Sequence, residues 1–194
     1  MTTLSQTQTT ASIEDYLEGE QHTDIKHEYL GGQIVAMGGA SDRHGLIGLS
    51  LAALLHPHAR SKACQLFMGD MKVRVDHDGD SYFYYPDLLL SCNPADKEHA
   101  YYRRHPCLLV EVLSPTTERI DTREKLLAYR LLPSLREYLL LRQDRVQGDL
   151  YQMGDEGRWQ HLVYTQADDT LALHCLDVAV RLRDVYVDVP ELLV

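Results

Sequence analysis

At 194 residues with 44% hydrophobic content, the chain has the length and apolar content of one compact domain. Its formal net charge of -10 excludes a surface built throughout for nonspecific binding to phosphate backbone, which needs lysine and arginine. No apolar run approaches the roughly 20 residues that cross a bilayer, and the first residues lack the basic start and apolar stretch of a signal peptide, so the chain is expected to be soluble and cytoplasmic.

Met1 to Ser12, rich in Thr, Ser and Gln, read as a flexible tail, which leaves residues 13–194 as a single domain. Ile13 to Glu18 reads as a short helix, and Glu28 to Leu30 leads through Gly31-Gly32 into a strand from Gln33 to Met37. Ser41 offers an N-cap to a helix whose stripe is Ile47, Leu51, Leu54 and Leu55 and which is expected to stop at Pro57. Gln65 to Val75 alternates as a strand, Asp78-Gly79 is a hairpin turn, and Ser81 to Leu90 returns as its antiparallel partner. Pro106 precedes a buried strand from Cys107 to Leu113, which Ser114-Pro115 ends. Asp121 to Leu132 shows amphipathic helical spacing up to Pro133, with Asp121 as its N-cap, and Glu137 to Arg142 is a further buried strand. Val146 to Met153, Trp159 to Tyr164 and Leu171 to Cys175 add strands, and Val185 to Val194 is a terminal helix or extended tail. The four cysteines, Cys64, Cys92, Cys107 and Cys175, are isolated in apolar contexts and read as buried free thiols.

Two acidic residues interrupt apolar strand patterns. Glu111 stands inside Cys107 to Leu113, and Asp87, after Pro86, stands between the aromatic run Tyr82 to Tyr85 and Leu88 to Leu90. Burying an ionised carboxylate costs several kcal/mol unless a cation, a metal or several donors compensate it, so the two form a candidate metal site. Basic residues crowd around them in sequence, with Arg103, Arg104 and His105 before Glu111 and Arg119, Arg123, Lys125 and Arg130 after it. They suit either a local basic groove or solvated helix and loop faces. Other signals are explained more simply. Asp76 to Asp80 has its glycine too early for a calcium loop, His56-Pro-His58 lacks further ligands of suitable spacing, and Gly38-Gly39 lacks the lysine of a phosphate loop. His44, near the start of the first long helix, either points at this site or is an exposed helix-start histidine, the simpler account.

In order and spacing, Pro86-Asp87 followed by Glu111 in Val110-Glu111-Val112-Leu113 resembles the PD-(D/E)xK nuclease superfamily. The superfamily places a lysine two residues after the second acid, where this chain has Leu113. The nearest substitute is Lys125 on the following helix, a migration known in the superfamily. The chain more closely resembles the Uma-type family of putative restriction endonucleases, through Lys26-His-Glu-Tyr-Leu-Gly-Gly-Gln-Ile-Val35, Tyr85-Pro-Asp-Leu88, Glu111-Val-Leu-Ser-Pro-Thr-Thr117, Asp121 with Lys125 and Tyr129, and Pro133-Ser-Leu-Arg-Glu-Tyr138.

The resemblance implies an α/β (α+β) fold with a restriction endonuclease-like core, a mixed central sheet flanked by helices, and extra C-terminal strands. It implies hydrolysis of phosphodiester bonds, with DNA as the expected partner and Mg²⁺ or Mn²⁺ held by Asp87, Glu111 and the Val112 carbonyl. Lys125 would hold the attacking water or neutralise the phosphate, with Lys72 or Arg123 as substitutes. Glu28 is a possible extra ligand, Asp121 a supporting group, and Tyr129 a brace for the lysine. Such nucleases commonly act as homodimers. The competing expectation is a binding module that keeps the fold without cleaving, which Leu113 and the acidic composition favour.

Overall fold

The computed structural model describes residues 10–115 and 118–193. Ser12 caps helix α1 (Ile13–Gly19) through Asp15 N–H, and Ala11 N–H donates to the Gly32 carbonyl. Ala11 and Ser12, assigned by sequence to the tail, are therefore tied to the fold, while residues 1–9 lie outside the described ones. Strands β1 (His27–Leu30) and β2 (Gln33–Ala36) pair antiparallel across Gly31-Gly32, whose positive φ values of 57° and 97° favour glycine. Helix α2 (Asp42–Ser61) is capped by Ser41 and buries Ile47, Leu51, Leu55 and Ala59. It runs past Pro57 instead of stopping there. Proline forfeits one backbone hydrogen bond, and burial continuing to Ala59 offsets that loss.

The long hairpin expected from Gln65 to Leu90 forms, but it is broken into two pairs. β3 (Gln65–Met68) pairs with β6 (Leu88–Ser91), and β4 (Lys72–His77) pairs with β5 (Asp80–Tyr84) around Asp78-Gly79, both at positive φ. Between the pairs the ribbon kinks, with Gly69 at φ 70° donating its N–H to the Asp87 carbonyl at 2.9 Å. Asp87 thus lies at the kink rather than inside a strand. Each half of the hairpin joins a different sheet.

After β7 (Tyr102–Arg103) and β8 (Leu108–Leu113) comes a π-helical turn, Ile120–Lys125, running into helix α3 (Leu126–Tyr129). Strands β9 (Glu137–Arg142), β10 (Gly148–Met153), β11 (Trp159–Tyr164), β12 (Thr170–Leu173) and β13 (Val178–Arg181) follow, then helix α4 (Leu182–Val185). The expected terminal segment is shorter than predicted, a 3₁₀ turn at Pro190–Leu192. One sheet has the order β2-β1-β5-β4-β7 and the other β11-β10-β9-β8-β6-β3, with β8 and β9 parallel; β12 and β13 form a separate pair. This is the mixed α+β architecture that the resemblance implied.

Strand alternation decides what meets what. Leu108, Val110 and Val112 of β8 pack toward α2, while Leu109 and Leu113 pack toward Tyr129 and Tyr138. Glu111 shares the second face.

The cysteines are not free thiols. Cys64 bonds to Cys92 and Cys107 to Cys175, across 28 and 68 residues of sequence. The register Gln65↔Ser91 sets Cys64 opposite Cys92, a neighbourhood visible only once β3 has paired with β6.

Candidate active site

Glu111 projects from β8 into the space between the six-stranded sheet and the segment that follows it. Its Oε1 accepts from Lys125 Nζ at 3.1 Å and from the Tyr129 hydroxyl at 3.0 Å, and all three residues are buried. Lys125 Nζ also lies 3.1 Å from Glu28 Oε1 and 3.2 Å from Asp121 Oδ1. An ammonium has three donors, and here three carboxylates surround it. Asp121 and Lys125 share one helical turn, whereas Glu28 comes from β1 and Glu111 from β8, so only folding brings the three carboxylates to one ammonium. Tyr129 is held in turn by edge-to-face contacts with Tyr84 and Tyr138, at 5.5 and 5.1 Å between ring centroids.

Asp121 is not the helix cap that its position suggested. The turn begins earlier, with Glu118 N–H donating to the Ser114 carbonyl, which places Asp121 a turn inside, buried and facing Lys125 at i+4. Its Oδ1 receives no well-aligned hydrogen bond. Thr116 and Thr117 of the resembled motif lie outside the described residues.

Asp87 stands beside this cluster with its own partners. Val112 N–H donates to Oδ2 at 2.6 Å, and His44 Nε2 lies 2.9 Å from Oδ1. The N–H and C=O of one strand residue point to the same edge, so the Val112 carbonyl belongs on the Asp87 side of β8. His44, discounted from sequence, is thus a member of the site. Its signal was its place in the first turn of a capped helix, which cannot by itself say what the helix end faces.

The electrostatics follow from too many acids around too few cations. Burial pushes the Glu111 carboxyl well above the usual carboxylate range; Lys125 opposes the shift, and Asp121, Asp87 and Glu28 add to it. Lys125 holds its proton more tightly than an ordinary lysine, because the three carboxylates outweigh its burial. The hydrogen bond to Asp87 raises the His44 pKa against burial, and the charge of Asp87 and Asp121 and the Val112 main chain add to it. Glu28, Asp87, Glu111 and Asp121 are all oxygen donors of the kind hard divalent cations take. Among the described residues, no three His, Cys, Asp or Glu side chains already converge as a metal-ligand set.

Lys72 does not belong to the cluster. Its ammonium sits over the Tyr85 ring, 4.9 Å from the centroid, with no carboxylate in ion-pair range among the described residues, and burial lowers its pKa. The kink between β3 and β4 turns it away from the acids. The first basic cluster is consumed by the fold: Arg103 stacks on Phe67 and donates to the His99 and Tyr102 carbonyls, Arg104 pairs with Asp76, and His105 with Asp96. Arg130 lies over the Tyr151 and Trp159 rings. Arg119 and Arg123 are exposed.

The sequence matches the Uma2 family model, described as a putative restriction endonuclease, over residues 13–183. It is 37% identical over 175 residues to the uncharacterized protein slr1290 of Synechocystis sp., covering 90% of each chain. A second protein of that organism, the uncharacterized sll1609, is 29% identical over 146 residues, 75% of this chain and 82% of that one. The fold matches the crystal structure of a putative nuclease belonging to DUF820 from Anabaena variabilis with a TM-score of 0.72 at 14% identity, covering 91% of this chain and 98% of the other. Among the described residues, no helix is long and apolar enough to cross a membrane.

Proposed function

This chain belongs to the Uma2 family of putative restriction endonucleases, and from that premise we propose that it is a metal-dependent nuclease hydrolysing phosphodiester bonds in DNA. The observation that carries the reading is the charge imbalance around Lys125, which faces the carboxylates of Glu28, Glu111 and Asp121 with Asp87 close by. Crowded acids at a buried point are costly unless protonation or a cation relieves them, and a bound divalent ion would complete this set. The donors fit Mg²⁺ or Mn²⁺ in atom type and in charge, and the buried, poorly satisfied Asp121 Oδ1 marks the shortfall. Asp87 and Glu111, with the Val112 carbonyl, would hold the ion, whose chemistry when bound is to lower the pKa of a water and polarise the scissile phosphate.

The remaining work falls to the chain's own groups. Lys125, on giving up one carboxylate, is placed to hold a water or to neutralise charge on the phosphate, as a preorganised cation does in a dry site. Tyr129 keeps Glu111 oriented, and Glu28 and Asp121 keep the ammonium charged and close. Exposed Arg119 and Arg123, on the segment that carries Lys125, supply positive charge for backbone phosphates on an otherwise acidic protein. A twofold homodimer in the cytoplasm, one site per strand, is the assembly this reading implies.

Incubation with supercoiled plasmid and Mg²⁺ or Mn²⁺ tests the reading. Nicking that stops with chelator, or with Asp87→Ala or Glu111→Ala, supports it. Binding of DNA without nicking would instead favour a binding module, for which one observation speaks: all three Lys125 donors face carboxylates, and Leu113 occupies the strand position where the resembled nucleases keep their lysine.

A further inference from the structure

Asp87 differs from the other three acids in what holds it. Glu28, Glu111 and Asp121 all lie against Lys125, whereas Asp87 is gripped from two sides by the Val112 N–H and the His44 imidazole. It sits at the ribbon's kink with a quarter of its side chain exposed, where a carboxylate would otherwise turn freely. Two donors on opposite oxygens fix its plane, and of its about four lone-pair positions only two are then spent.

The turn that carries the imidazole is itself held. The main-chain N–H of His44 donates to Ser41 Oγ, the Ser41 hydroxyl donates to Gln143 Oε1 at 2.6 Å, and Arg43 pairs with Glu191 at 2.9 Å. The first turn of α2 is thereby pinned to the end of β9 and to the C-terminal turn. His44 Nε2 faces a carboxylate and so carries the proton, while its Nδ1 is buried without a partner.

We propose that His44 is a positioning residue for cation uptake, orienting the Asp87 carboxylate so that its free lone pairs face Glu111. This rests on the metal-dependent reading above. Groups that hydrogen-bond a metal ligand set its direction, and removing one typically weakens metal affinity about 10- to 100-fold. His44 never touches the ion or the substrate in this role.

The test is a calorimetric titration of the full-length chain with Mn²⁺ in wild type, His44→Leu and His44→Gln, with melting curves in EDTA to establish that each is folded. His44→Leu should bind Mn²⁺ 10- to 100-fold more weakly, while His44→Gln, whose amide N–H can reach the place of Nε2, should bind within a few-fold of wild type. Wild-type affinity in His44→Leu overturns the proposal. Equal weakening in both variants also overturns it, because the ring's bulk and not its donor would then matter. Absence of Mn²⁺ binding by the wild type itself would remove the metal-dependent reading and this role together, an outcome distinct from the other two.

Discussion

Lys125 Nζ lies 3.1 Å from Glu111 Oε1, and the same ammonium closes on Glu28 and Asp121, so one buried cation serves three carboxylates that approach from three parts of the chain. On the metal-dependent reading proposed above, Lys125 would stand in for part of the charge of a divalent ion.

Lys125→Met should therefore destabilise the protein in EDTA, on the order of 3 to 5 kcal/mol, because the three acids lose the ammonium they share. The geometry predicts that Mn²⁺ restores much of the lost melting temperature and binds at least as tightly as in wild type. Turnover on plasmid should fall about 100-fold or more. Identical melting of variant and wild type in EDTA would show that Lys125 does not hold the cluster together.

The Glu111 carboxyl has its pKa raised by burial first and by Asp121, Asp87 and Glu28 next. A raised folded pKa means that protonation stabilises the fold, fully below the unfolded value of about 4.3 and progressively less as pH rises toward the folded one. Glu111→Gln, which keeps the acceptor for Lys125 and Tyr129, should melt close to wild type near pH 4 and above it at neutral pH without metal. Melting temperature against pH for both proteins decides this, and a gap that widens toward acid would contradict it.

Tyr129→Phe removes one of the two donors on Glu111 Oε1 while leaving the aromatic contacts with Tyr84 and Tyr138. The expected loss is about 1 to 3 kcal/mol in urea unfolding, with an unchanged slope. A neutral result would mean that Lys125 alone satisfies the carboxylate.

Two disulfides closing 28 and 68 residues should each contribute roughly 3 to 4 kcal/mol by restricting the unfolded chain. Alkylation of the native, oxidised protein followed by mass spectrometry should find no modified cysteine, and reductant should lower the melting temperature by several degrees. Four alkylated cysteines in a protein that melts unchanged would return the thiols to the free state first read from the sequence.

What the chain determines by itself is whatever depends on local period and local chemistry. The apolar run of β8 interrupted by Glu111, the Asp78-Gly79 turn, the Ser41 cap and the Pro86-Asp87 and Lys125 positions of the resembled nucleases are all legible in order, because alternation, capping and turn preferences act within a few residues. Tertiary structure alone decided which groups meet. The kink at Gly69 and Asp87 splits one hairpin between two sheets, sending Lys72 to Tyr85 and leaving Asp87 for His44. The pairing of β3 with β6 set Cys64 against Cys92, and the earlier start of the helical turn buried Asp121 beside Lys125 instead of at a cap. The kink and the strand pairing rest on contacts between residues far apart in sequence, and Asp121, only four residues from Lys125, meets the distant Glu28 and Glu111 through the ammonium they share, an arrangement of packing and charge that no local pattern encodes.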